Sequence, residues 1–88
     1  MPGQKRQFTM KHYDLDITGE RCPLTFVKAK LLIERMAPGD VAHIRLCGEE
    51  PMANVPRSLR EHGQEVLSIE PADDDPAGRI HVLTVRKV

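Results

Sequence analysis

Aromatic side chains are scarce in this sequence, which has no tryptophan, one tyrosine and two phenylalanines among 88 residues. Proteins that bind single-stranded nucleic acid commonly stack the bases on aromatic rings. Basic residues are not in excess either, because thirteen lysines and arginines face thirteen aspartates and glutamates. The sequence therefore predicts neither direct binding of nucleic acid nor attraction to an anionic membrane surface.

Long apolar runs and sets of cysteines are missing as well. No stretch approaches the roughly 20 apolar residues that span a bilayer, and no signal-peptide pattern opens the chain. The two cysteines, Cys22 and Cys47, are too few for a disulfide framework and fit a reducing compartment. A chain of 88 residues suits one domain. We therefore expect a cytoplasmic monomer that does not contact membranes.

Metal ligands in a recognisable spacing are also lacking. The sequence spacing between either cysteine and the histidines does not match that of a zinc site. The four histidines are His12, His43, His62 and His81. The acidic run at residues 73–75 lacks the EF-hand pattern and predicts a solvated turn between two strands. We therefore expect no metal and no cofactor.

Apolar periodicity predicts the order strand, helix, strand, helix, strand, strand. Residues 1–12 follow neither period and are predicted to be a mobile arm, which leaves residues 13–88 as the single domain. Tyr13, Leu15 and Ile17 alternate with aspartates, as in a half-buried strand. The later predicted elements are a helix from near Cys22 to Ala37, a strand over Asp40 to Cys47, a short helix from Asn54 to Gly63, a strand at residues 66–69 and a strand over Ile80 to Val85.

This order predicts an α/β fold, a two-layer sandwich with both helices on one face of a mixed four-stranded sheet. The crossover through the first helix makes the first two strands parallel, and the last two strands form an antiparallel hairpin. The C-terminal ends of the parallel strands then share one sheet edge, where open α/β sheets bind or react. We expect Cys22, Cys47, Glu49 and Glu50 at that edge.

Cys22 is predicted to lie at the start of the first helix. Pro23 suits the first helical position, because its missing N–H would have no partner there, and this makes Cys22 the N-cap. Cysteine caps poorly, since Ser, Thr, Asp or Asn would stabilise the helix by about 1 kcal/mol more. The helix dipole, unpaired N–H groups of Leu24 and Thr25, and the charge of Arg21 would all favour a thiolate. The alternative is a small apolar residue buried in the core.

The first helix carries two apolar stripes. The first, predicted to face the core, consists of Ala29, Leu32, Ile33 and Met36. The second consists of Leu24, Val27 and Leu31 and is expected to widen the core face, the alternative being a surface that docks a partner. Four cations are expected to be ordinary solvated side chains, or else a basic rim for an acidic partner: Arg21, Lys28, Arg57 and Arg60.

Short motifs over nearly all of the predicted domain resemble the TusA and SirA-like (YedF-like) sulfur-carrier proteins. They are Leu15-Asp16 with Gly19, Arg21-Cys22-Pro23, Pro38-Gly39-Asp40, Asn54-Val55-Pro56 and His62-Gly63. The resemblance implies the two-layer fold and a persulfide on the cysteine of a Cys-Pro-x-Pro motif, here Cys22. It also implies a cysteine desulfurase or similar sulfur donor, a downstream acceptor protein and, in the best-known case, thiolation of a transfer RNA.

Two departures from the family pattern bear on which partners bind. The second motif proline is Thr25 here, which adds an N–H and a hydroxyl next to the sulfur. Cys47-Gly48 and Asn54 stand where the family usually has an acidic pair and an aspartate.

We predict a sulfurtransferase-type persulfide carrier with Cys22 as its catalytic residue and Arg21, Pro23, Leu24 and Thr25 supporting the thiolate. Attack on a sulfur needs an ionised cysteine that two proteins can reach in turn. The alternative is a non-catalytic interaction or regulatory module that docks a partner through the first helix. Cys47 is expected to be an ordinary strand-end residue, and the competing hypothesis is a secondary role as the resolving or disulfide partner of Cys22.

Overall fold

The computed structural model describes residues 11–21 and 24–88. Residues 1–10, which are most of the predicted arm, lie outside this part, and so do Cys22 and Pro23. Six elements follow in the predicted order: β1 (His12–Asp16), α1 (Leu24–Arg35), β2 (Val41–Cys47), α2 (Glu49–Glu61), β3 (Glu65–Pro71) and β4 (Ile80–Arg86). Strand β1 thus includes His12, which the sequence had assigned to the arm.

The four strands form one mixed sheet in the order β1-β2-β4-β3. Strand β1 runs parallel to β2, and β4 is antiparallel to both β2 and β3. The predicted parallel pair and the predicted hairpin are therefore confirmed. Strand β4 lies between β2 and β3, and its Leu83 and Val85 are completely buried.

A single hydrophobic core lies between the sheet and the two helices. The predicted core stripe of α1 is confirmed, since all four of its members are buried. The core also contains Val55 and Leu59 of α2, together with Ala42, Ile44, Leu46, Leu83 and Val85 of the sheet. Both helices therefore pack on the same sheet face, and the structure is the predicted α/β sandwich. Neither helix within the described ranges has the length and apolar character that a bilayer crossing needs.

Helix α2 begins at Glu49, five residues earlier than the predicted start at Asn54. Gly48, with a φ of 99°, precedes its first turn, where two glutamates complement the positive end of the helix dipole. Pro56, which the sequence placed at the helix start, lies inside α2. A proline inside a helix costs about 3 kcal/mol or more. Pro56 and its neighbour Val55 are buried, and we infer that packing against the sheet offsets this cost.

Asp40 joins the end of the first helical segment to the sheet. Its side chain accepts hydrogen bonds from the Ala37 N–H at 3.0 Å, the Lys11 N–H at 3.3 Å and the Tyr13 hydroxyl at 3.3 Å. The bond from Ala37 is the largest contribution that lowers the pKa of the Asp40 carboxyl below its ordinary value. Asp40 therefore holds the turn before β2 against β1.

Candidate functional site

The starts of α1 and α2 lie at the same edge of the sheet. Strands β1 and β2 are parallel and in register, with Asp16 opposite Arg45, and each leads into its helix at its C-terminal end. Strand β4 starts at the same edge, because its first residue, Ile80, pairs with Cys47. Among the described residues, the predicted gathering at this edge is therefore confirmed for the end of β2 and the starts of both helices.

The backbone just before α1 closes on the carbonyl of Arg21. This oxygen accepts hydrogen bonds from the N–H of Leu24 at 2.7 Å and of Thr25 at 3.3 Å. The prediction that these two donors are available to a sulfur is wrong, because the turn that starts the helix already uses them. Support for a thiolate at Cys22 from Leu24 and Thr25, for example through the helix dipole, stays a prediction.

The side chains beside Cys22 in sequence differ in exposure. Arg21 is exposed, Leu24 is 50% exposed, and Thr25 is completely buried in the protein. An exposed guanidinium next to a cysteine favours the thiolate without closing the site to another protein. The roles predicted for Cys22 and Pro23 lie outside the described residues.

Cys47 is a half-buried free thiol and the last residue of β2. It lies at the predicted sheet edge, next to the start of α2. A secondary role with Cys22 stays a hypothesis, because it depends on a distance to a residue outside the described part of the chain.

A groove of about 640 Å³ opens beside the end of β2. It is lined by Gly48, Glu49, Met52, Gly78, Arg79 and His81. Periodicity did not predict this groove, since it forms only where the β3–β4 turn meets the start of α2. Within residues 11–21 and 24–88 no three His, Cys, Asp or Glu side chains are grouped so that they could hold a metal ion.

The second apolar stripe of α1 faces solvent. Leu24 is 50% exposed, Val27 41% and Leu31 56%. The expectation that this stripe widens the core is wrong, because none of its three members belongs to the hydrophobic core. We call Leu24, Val27 and Leu31 the outward stripe.

Cations surround the outward stripe. Lys28 pairs with Glu20 at 2.6 Å, and Lys30 pairs with Glu34 at 3.7 Å. Arg21 precedes the stripe, and Arg35 follows Leu31 by one helical turn.

Cations on and near the two helices differ in the partners that they have among the described residues. Considering the described part of the chain alone, neither Arg21 nor Arg35 has an ion pair within 4.0 Å. On α2, Arg57 donates a hydrogen bond to the Asn54 side chain at 2.7 Å, and Arg60 is exposed. A common basic rim formed by Arg21, Lys28, Arg57 and Arg60 stays a prediction.

The sheet face opposite the helices is polar and internally bonded. Arg45 contacts Asp16 at 3.7 Å and Asp74 at 3.3 Å, and so links β1, β2 and the β3–β4 turn. Hydrogen bonds from the hydroxyl and backbone N–H of Thr18 are the main causes that lower the pKa of Asp16. The predicted acidic turn at residues 73–75 is present, and Asp75 accepts the backbone N–H groups that open β4.

Two histidines on this face share a hydrogen bond. Nδ1 of His12 and Nε2 of His43 lie 3.1 Å apart in rings that are within 5° of parallel. The ring centroids are 5.3 Å apart, which exceeds the nitrogen separation by about two ring radii. The two nitrogens therefore lie between the rings, and the hydrogen bond lies in the plane of the imidazole rings. Thr84 continues this series of hydrogen bonds, since its hydroxyl oxygen lies 3.4 Å from Nδ1 of His43.

Comparison with known proteins gives a consistent result. The family model described as sulfurtransferase TusA matches residues 13–87. A protein of Archaeoglobus fulgidus described as a sulfur carrier is 45% identical over 56 residues, which are 64% of this chain and 64% of that protein. A protein of Thermotoga maritima with the same description is 32% identical over 56 residues, covering 64% of this chain and 71% of that one. The match thus spans somewhat less than two thirds of the archaeal relative.

A solved structure has the same fold. The crystal structure of a SirA-like protein from Desulfitobacterium hafniense superposes with a TM-score of 0.69. The match covers 84% of this chain and 95% of that chain at 19% sequence identity. It therefore supports the architecture described above, the two-layer sandwich of a mixed sheet and two helices.

Proposed function

We propose that this chain, which belongs to the sulfurtransferase TusA family, is a sulfur carrier that holds a persulfide on Cys22. One observation carries the proposal: α1 begins two residues after Cys22, at the sheet edge where both helices start. A cysteine at such a position is close to the positive end of a 12-residue helix and to the exposed Arg21. Both features favour the thiolate that sulfur transfer requires.

The transfer needs no oxidant and no cofactor. In loading, the Cys22 thiolate attacks the outer sulfur of a persulfide on a donor protein. A new S–S bond forms at Cys22, the S–S bond of the donor breaks, and the donor cysteine leaves as a thiolate. In unloading, the thiolate of an acceptor attacks the outer sulfur on Cys22, and Cys22 leaves in the same way. The chain is thus regenerated after each cycle, which makes it a sulfurtransferase-type carrier.

Exchange partners follow from this chemistry. A cysteine desulfurase fits the role of donor, because it carries sulfur as a protein persulfide, and the acceptor is a second protein thiol. Thiolation of a transfer RNA is one process that such a relay can supply, without contact between the carrier and the RNA. We place the relay in the cytoplasm, where a reducing environment keeps Cys22 and Cys47 as thiols.

Mass spectrometry tests the proposal. The protein is incubated with a cysteine desulfurase and cysteine, and we expect a gain of about 32 Da, one sulfur atom, at Cys22. Cys22→Ser should lose the adduct, whereas Cys47→Ser, the matched control, should keep it. An unmodified wild-type protein, or an adduct on Cys47 alone, would contradict the assignment.

The exposed outward stripe supports a second candidate function, a non-catalytic module that docks a partner through α1. This candidate expects Cys22→Ser to bind its partner as the wild type does and expects no sulfur on Cys22. Partner binding by the two proteins, measured beside the mass experiment, distinguishes the two functions.

A further inference from the structure

We propose that His12 and His43 form a binding site for one divalent transition-metal ion that prefers nitrogen ligands, such as Cu²⁺ or Ni²⁺. The site lies on the open face of the sheet, opposite the helices. It is separate from the sulfur-carrier function, because the proposed persulfide residue precedes α1 in the chain and takes no part in it.

The parallel pairing of β1 with β2 brings the two histidines together, although 31 positions separate them in the chain. His12 pairs with Val41 and Asp14 with His43, so the two histidines lie diagonally across the strand pair. The residues on either side of His43 in β2 belong to the hydrophobic core. Because side chains alternate along a strand, both histidines are on the face that points away from the core.

The distance between the facing nitrogens suits a shared metal ion. Nδ1 of His12 lies 3.1 Å from Nε2 of His43. Two imidazole nitrogens with metal bonds of about 2.0–2.1 Å are about 2.9 Å apart at a right angle and about 3.4 Å apart at the tetrahedral angle. The observed separation falls between these two values, so little movement of the strands is needed. Imidazole is also the commonest metal ligand among side chains.

One ring is held in place and the other can adapt. The hydroxyl of Thr84 lies 3.4 Å from Nδ1 of His43, and ligating histidines commonly have such a partner at the nitrogen that does not bind the metal. His43 is half-buried, whereas His12 is exposed. The His12 ring can therefore turn until both lone pairs converge on the ion. The proton of the bond between the rings moves to the other nitrogen of its own ring, and both imidazoles bind as neutral ligands.

Charges on the open face favour a cation at this place. Asp14, directly opposite His43, is exposed and forms no ion pair within 4.0 Å in the described part of the chain. Arg45 and Arg86 on the same face are each paired with a carboxylate. No three His, Cys, Asp or Glu side chains in the described ranges form a metal group. The protein therefore supplies two nitrogen ligands, and water completes the coordination.

Calorimetric titration with metal salts tests the proposal. The full chain carries Cys22→Ser and Cys47→Ser, because thiolates would compete for the same metals. We expect one Ni²⁺ per chain, tighter binding of Cu²⁺ than of Ni²⁺, and no binding of Mg²⁺, which prefers oxygen ligands. His12→Gln in this background should raise the Kd for Ni²⁺ about tenfold or more, since one imidazole then does the work of two. His62→Gln, the matched control at an exposed histidine of another element, should leave the Kd unchanged.

Nuclear magnetic resonance provides a readout that does not depend on affinity. Substoichiometric Cu²⁺, which is paramagnetic, should broaden the ring signals of His12 and His43 before those of His62.

Three outcomes would overturn the proposal. The first is a chain without cysteines that binds neither Ni²⁺ nor Cu²⁺. The second is an unchanged Kd in His12→Gln, which would place the metal elsewhere. The third is an equal increase in Kd in His12→Gln and His62→Gln, which would show separate binding to single histidines. None of these results bears on sulfur at Cys22, so this proposal and the carrier function stand or fall separately.

Discussion

The outward face of α1 and the open face of the sheet are both exposed to solvent, but they differ in polarity and in the bonds between their side chains. On the sheet, charged and polar side chains bond to each other: Arg45 contacts two aspartates, and His12, His43 and Thr84 form a hydrogen-bonded chain. On α1, three large apolar side chains are at least 41% exposed and lie outside the hydrophobic core that the described residues form. Many polar groups of the sheet face are therefore bonded to one another, whereas the outward stripe of α1 is apolar and exposed.

This contrast shows that exposure alone does not identify an interaction surface. An exposed ion pair contributes little to stability, but water and neighbouring groups satisfy the hydrogen-bonding capacity of both charged side chains. An exposed apolar stripe has a cost in water that only burial removes. Burial of the helix face by a partner would therefore be more favourable in free energy than burial of the sheet face.

The largest expected effect separates the two stripes of α1. Leu32→Ala should lower the free energy of unfolding by about 2–5 kcal/mol, because it leaves a cavity in the core. Leu31→Ala, the same change at the neighbouring residue, should alter it by at most about 0.5 kcal/mol. Urea unfolding curves of the two variants measure this difference. Equal losses would show that Leu31 contributes to folding, and the contrast between the faces would fail.

The next effect concerns Asp40, whose carboxylate binds backbone and hydroxyl donors between the two layers. Its folded-state pKa lies below the ordinary value, so it stabilises the fold above the unfolded pKa of about 3.9. That contribution is lost as the pH falls through the lowered folded value. Asp40→Asn should therefore be less stable than the wild type at pH 7, with a difference that shrinks in acid, below about pH 4.

Unfolding curves between pH 7 and pH 2 check this prediction. Asp16→Asn is the matched control on the open sheet face, where the pKa is also lowered but the side chain is 61% exposed. Its effect should have the same sign and be smaller, because solvent screens an exposed carboxylate. A larger effect at Asp16 than at Asp40 would contradict the structure.

The smallest effect is expected at Arg45. Arg45→Met removes the contacts to Asp16 and Asp74 and should cost at most about 1 kcal/mol, since the guanidinium is 32% exposed and its partners more so. The difference from the wild type should shrink at 1 M salt. Sulfur loading should not change, because the open face lies opposite the helices. A loss of loading in this variant would assign function to the sheet face.

Local patterns predicted the parts of the molecule that depend on neighbours in the chain. The alternation around Leu15 marked β1, and the first stripe of α1 marked the side that faces the core, because these periods follow from strand and helix geometry. The start of α2 was missed. Pro56 resembles a first helical residue, whereas in the structure it lies inside α2 and is buried.

The sequence alone was enough to predict the order of the elements, the parallel crossover and a first helix that begins shortly after residue 22, since these follow from periodicity and chain connectivity. Tertiary structure alone decided which stripe of α1 is buried and that the carbonyl of Arg21 takes the first N–H groups of the helix. The reason is geometric: both stripes have helical spacing, and only the position of the sheet selects the one that leaves water.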